Sequence, residues 1–137
     1  MASSGSGYDL YSSTFSPDGR IFQVEYAGKA VDNGGTAIGI LIENHGVVLG
    51  VCKPLQQKML VSTSSPRIFT VASNCGVGMT GFIPDGRQVV GRAREEAANY
   101  VETYGSSIPP TILADRMASY VHYFTLHGAL RPFGASC

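Results

Sequence analysis

The chain has 137 residues, a length that suits one domain at most. Hydrophobic residues make up 44% and charged residues 15%, which excludes a disordered polymer. Ten basic and ten acidic residues cancel, so nothing in the charge points to nucleic acid or anionic lipid, and the apolar richness fits a subunit that hides surface against partners.

The opening "MASSGSGYDL" has neither a basic region nor an apolar core, so no signal peptide is expected, and residues 1–7 read as a mobile tail. "SPDG" places proline and glycine where a tight turn wants them. "RIFQVEYAGKAV" then repeats apolar residues at helical spacing: Ile21, Val24, Gly28 and Val31 on one row, Phe22, Tyr26 and Ala30 on the next. Gly28 costs this helix about 1 kcal/mol relative to Ala, and is expected to admit a close neighbour.

"DNGGTAIGI" puts Gly34 and Gly35 directly before Thr36 and an apolar strand. A chain that cuts itself at a Gly-Thr bond frees a threonine whose own amine serves as base. The plainer reading is a strand-initiating threonine after a flexible glycine joint. "TAIGILI" and "VVLGV" flank "ENHG" as a hairpin, and both strands are apolar on nearly every residue, the pattern of a sheet covered on both faces. "QQKMLVSTSS" reads as an irregular loop with some strand character. "RIFTV" and "CGVGMTG" form a second pair around "ASN".

"PDGRQVVGRAREEAANYVETY" is a helix with Val89, Ala93, Ala97 and Val101 as a stripe that Tyr100 and Tyr104 widen. "SSIPP" breaks the chain. "TILADRMASYVHYFTLHGAL" is the next helix, started by Pro110 or Thr111, with Leu113, Met117, Val121 and Phe124 on one face and Gly128 near its end. "RPFGASC" leads toward a further strand. Two long helices cover one face of a two-sided apolar sheet, and the short first helix is too small for the other. The expectation is the first half of a longer domain, or a chain completed by partners.

Cys52, Cys75 and Cys137 are odd in number and widely spaced, so they read as free thiols in a reducing compartment. No apolar run is long enough to span a bilayer. His122 and His127 are five apart and do not share a helix face, and His45 sits in a hairpin turn, so no metal or cofactor is indicated. "SGSGYD" follows no strand and is no phosphate loop. Glu95 and Glu96 read as a solvated helix face.

"GYDLYSSTFSPDGRIFQVEYAGKAV", "TAIGI", "HGVVLGV", "GRAREEA" and "RPFG" together resemble the alpha subunits of the 20S proteasome, over Tyr8 to Cys137. The run from Phe15 to Ala27, "FSPDGRIFQVEYA", is highly specific to that family. "GYDL" and "STFSPDGR" are most similar to its alpha-7 branch, also called type 3, and most other branches carry arginine where Leu10 stands. The resemblance implies an α+β fold, a four-layer alpha-beta-beta-alpha sandwich of the N-terminal nucleophile hydrolase type, here about its first half. It divides the chain into a gating tail at 1–12 and the first part of the alpha-subunit domain at 13–137.

The same resemblance implies roles. Residues matching Tyr8, Asp9, Pro17 and Tyr26 hold the family's tails in an open-gate arrangement; the plainer reading is that Pro17 and Tyr26 pack the first helix. Arg67 stands at or beside a lysine that lines a pocket between neighbouring alpha subunits and pairs with an activator's C-terminal carboxylate; the plainer reading is a surface arginine at a strand start. Thr36 matches the nucleophile of catalytic beta subunits, but Cys52 stands at the position of their acid and Arg67 near that of their lysine. Arginine stays protonated and is a poor proton shuttle. The implied protein is therefore non-catalytic, with no cofactor. Its expected partners are neighbouring alpha subunits, beta subunits below and activators or the regulatory particle, with no nucleic acid or membrane. Its expected setting is ubiquitin-dependent protein degradation in cytoplasm and nucleus. The rival readings are a self-processed threonine hydrolase using Thr36, and a truncated product that does not assemble.

Overall fold

The computed structural model describes residues 7–53, 57–61 and 63–137. The expected tail therefore lies outside the described residues up to position 6, and the loop after the first hairpin lies partly outside them. Helix α1 (Phe22–Asp32) is followed by strands β1 (Ala37–Ile42), β2 (Gly46–Val51), β3 (Ile68–Ala72), β4 (Cys75–Gly78) and β5 (Thr80–Gly81). Helices α2 (Ile83–Tyr104) and α3 (Pro110–Leu126) come next, then β6 (Ala135–Ser136).

The hairpin β1–β2 is antiparallel, from Ala37 opposite Val51 to Ile42 opposite Gly46. Asn44 and Gly46 turn it with positive φ, of 61° and 134°. In β3–β4, Ile68 faces Gly78 and Thr70 faces Gly76, with a register slip before Ala72 and Cys75. The last strand, β6, pairs with β5 through Thr80 opposite Ser136 and Gly81 opposite Ala135.

The strand alternation of β4 sets the layers. Cys75 turns to the helices and joins a buried cluster with Ala93, Ala97, Ile108 and Leu113, flanked by Val71, Ala72, Tyr100 and Met117. Gly76 and Gly78 turn the other way, where Leu49 and Val51 of β2 come close enough to leave only van der Waals room for a Cβ. Helices α2–α3, hairpin β3–β4 and hairpin β1–β2 thus form three successive layers. The outer side of the third carries Ile38, Ile40, Ile42 and Val48, all exposed. The cover that the apolar pattern of both faces calls for is not supplied by the described residues.

Both long helices begin where their sequence says, and α2 also ends there. Pro84 and Pro110 stand in the first turns of α2 and α3, where a missing N–H costs nothing. Gly105 closes α2 in the left-handed region (φ 69°), donating its N–H to the Val101 carbonyl at 2.8 Å. Val89, Ala93 and Ala97 are buried as their spacing predicts, joined by Val90, while Val101 and Tyr104 are exposed beyond the reach of the sheet. On α3 only Leu113 is fully buried, and the helix stops at Leu126, short of Gly128. Helix α1 buries no residue completely. A Cβ at Gly28 would meet nothing within 4 Å, so the neighbour expected there is absent among the described residues.

Candidate functional site

The turn before α1 is closed by its own backbone. Ser16 donates its N–H to the Arg20 carbonyl at 2.8 Å, Gly19 donates to the Ser16 carbonyl at 2.9 Å, and the Arg20 N–H reaches Ser16 Oγ at 3.0 Å. Gly19 takes φ 75°, which suits glycine. Pro17 stands exposed on this loop. The Arg20 guanidinium grips Glu25 with both Nε, at 2.7 Å, and Nη2, which raises the Arg20 pKa and lowers that of Glu25 mainly through that side-chain hydrogen bond. Because the pair lies in solvent, it orders the turn more than it stabilises the fold.

Two contacts tie the segment upstream to α1. The Gln23 side-chain amide donates to the Asp9 carbonyl. The Tyr26 hydroxyl points to Asp9 Oδ2 at 3.5 Å, the outer limit of hydrogen bonding. The structure therefore brings Asp9 and Tyr26 together, with Pro17 on the adjoining loop and Tyr8 exposed. Gln23 was not legible as a site residue, since a polar residue on an amphipathic helix is ordinarily solvated.

Tyr26 also lines an open cleft of about 400 Å³ with Lys29, Ala30, Asn33, Gly34, Gly81 and Phe82. At its far side Arg67 Nη1 donates to the Gly81 carbonyl at 3.3 Å, while Arg67 Nε is buried without an acceptor. Arg67 is half-buried, and its own carbonyl accepts the Met79 N–H at 2.8 Å. Gly81 lines the cleft with Tyr26 and accepts from Arg67, but Arg67 itself does not line it, so the two candidate residues are not brought together.

Thr36 stands beside the cleft. Its carbonyl accepts the Cys52 N–H at 2.7 Å, extending the β1–β2 ladder by one bond, and its side chain is exposed. The preceding Gly35 carbonyl accepts the Thr80 hydroxyl. A Cβ on Gly34 would lie 2.6 Å from the Gly81 nitrogen and 2.7 Å from Thr80 Oγ1. This corrects the reading of the two glycines as a flexible joint: Gly34 is small because α1 and β5 close on it. Among the described residues no three His, Cys, Asp or Glu side chains gather as metal ligands.

Two further groups were missed in the sequence. Ser12 is 1% exposed and places its hydroxyl 2.8 Å from both the His127 and the Leu130 carbonyls. Asp85, in the first turn of α2, takes Arg131 Nη1 at 2.6 Å, Arg131 Nη2 at 2.7 Å and the Gly134 N–H at 2.8 Å. Neither partnership has a local spacing that announces it.

Residues 8–30 match the model of the N-terminal signature of A-type proteasome subunits, and residues 31–137 match the general proteasome subunit model. The chain belongs to the proteasome subunit family. Its mixed helices and strands are the α+β, N-terminal nucleophile type of fold that goes with that family. It is similar to the alpha type-3 proteasome subunit of Spinacia oleracea, at 55% identity over 134 residues, 98% of this chain and 53% of the relative. The alpha type-3 subunit of Dictyostelium discoideum is 54% identical over 136 residues, 99% of this chain and 54% of the relative. The probable alpha type-7 proteasome subunit of Schizosaccharomyces pombe is 50% identical over 134 residues, 98% of this chain and 52% of the relative. The chain spans about half the length of the curated relatives it matches. The signature match contains Tyr8, Asp9, Pro17 and Tyr26; the longer match contains Thr36 and Arg67.

Proposed function

We propose that this chain acts as a non-catalytic alpha subunit of the 20S proteasome core, its tail at 1–12 gating substrate access and Arg67 serving an activator pocket between neighbouring alpha subunits. The carrying observation is the approach of Tyr26 to Asp9, inside the stretch that matches the A-type N-terminal signature. A tyrosine hydroxyl set against a carboxylate beside a rigid proline turn is a latch that can be made or released without breaking the fold. Arg67, half-buried just before β3, is a cation whose planar guanidinium suits an activator's carboxylate. Neighbouring alpha subunits and the beta ring are the partners in this reading. Ubiquitin-dependent degradation in cytoplasm and nucleus is its setting.

The chemistry at Thr36 supports a non-catalytic role. Cys52 and Arg67 stand where the family's catalytic members carry an acid and a lysine, and arginine stays protonated and is a poor proton shuttle. The test uses core particles shown to contain this chain. Tyr26→Phe is expected to lower activator-stimulated peptide hydrolysis several-fold, and removal of residues 1–10 to raise activator-free hydrolysis. Unchanged rates in both variants overturn the proposal.

A further inference from the structure

We infer that Ser12 is a positioning residue of the N-terminal segment: it seats that segment on the turn that leaves α3, and this seat, with the contacts to α1, fixes where the tail departs from the body. The carbonyls of His127 and Leu130 lie in the turn beyond the end of α3 at Leu126, and backbone acceptors packed away from water need donors. The turn after α3 supplies one of its own, the Leu130 N–H to the His127 carbonyl at 3.0 Å. Ser12 supplies the other, its single hydroxyl proton shared between the His127 and Leu130 carbonyls at 2.8 Å each.

The fit around that hydroxyl is close. A Cβ on Gly128 would stand 3.1 Å from Ser13 Oγ and 3.4 Å from Tyr11 Cβ, so the segment lies directly across the turn. The far side of the turn is rigid. Arg131 is clamped to Asp85, and Phe133 packs on Phe124 with ring centres 4.6 Å apart. The Tyr26 hydroxyl contact to Asp9 is long and exposed, whereas the Ser12 bonds are short and buried. Buried hydrogen bonds leave an unpaired group when broken; exposed ones are replaced by water. The tie to α3 is therefore stronger than the Tyr26 contact, and it stands beside the Gln23 amide's bond to the Asp9 carbonyl.

Amide hydrogen exchange on the full chain tests this. Ser12→Ala is expected to speed exchange at residues 11–14 and at Leu130 about tenfold, leaving residues 89–97 of α2 unchanged. Tyr26→Phe should move the same amides less. Unchanged exchange in Ser12→Ala overturns the inference, as does an equal acceleration throughout α2, which would make Ser12 a general stabiliser. Should the variant not fold, the unaltered chain decides: Thr14, which donates to the Tyr11 carbonyl at 3.3 Å, and Leu130 should share one opening free energy across a urea series. Distinct openings overturn it. The consequence for substrate access rests on the gating reading and is read separately, in activator-free hydrolysis by assembled particles. Faster exchange with unchanged hydrolysis upholds the seat and removes the gate.

Discussion

Asp85 shows how a buried charge is kept. It is 5% exposed, and its carboxylate is held below the usual range by the Arg131 hydrogen bonds first and by the Gly134 N–H, against the opposing cost of burial. A carboxylate with a lowered folded-state pKa adds stability that is fully present above its unfolded value, about 4, and is lost as the pH falls through the folded value. Thermal melts should therefore show stability falling below about pH 4, and Asp85→Asn should flatten that slope while costing about 2 kcal/mol at neutral pH. The Arg131 side chain is 64% exposed, so solvent screens part of the attraction and keeps the cost moderate. An unchanged slope in the variant would contradict this. The sequence offered Asp85 only as an acid in a first helical turn. Its partner lies 46 residues away, and nothing local joins "PDGR" to "RPFG".

Elements were legible where their period was strong. The apolar runs of β1 and β2, the stripe Val89, Ala93, Ala97 and the Pro110 start of α3 all read correctly, because residue period and helix-end chemistry are local. Glycines did not, since their meaning depends on what approaches them. Gly28 and Gly34 make the contrast measurable. Gly28 lies in α1 with open space around its Cβ position, so Gly28→Ala should stabilise by about 0.5–1 kcal/mol through helix propensity. Gly34→Ala must displace backbone at 2.6 Å and should cost about 1–3 kcal/mol, the range of overpacking. Urea midpoints of the two variants should move in opposite directions. A shift of the same sign in both would contradict the close approach of Gly34 to β5.

For the whole molecule, surface is the controlling quantity. The chain exposes 9316 Å², against about 6900 Å² for a compact monomer of its mass. Ile38, Ile40, Ile42 and Val48 form an exposed apolar row on one side of a hairpin. An apolar face of this kind invites association. Light scattering should find the isolated chain self-associating with concentration, and Ile40→Lys should weaken that association. A chain that stays monomeric as its concentration rises would contradict it. The expectation of a two-sided sheet was legible from strand composition alone; that one side remains open required the layers themselves, because composition does not say which element lies over which face.

The central claim is that this chain works as an uncut, non-catalytic member of a proteasome ring. Mass spectrometry of core particles isolated on native gels tests it most directly. The predicted result is this chain in the particle, beside alpha and beta subunits, with the residues upstream of Thr36 still attached. A chain that begins at Thr36, or one found only as monomer or aggregate apart from those subunits, would contradict it.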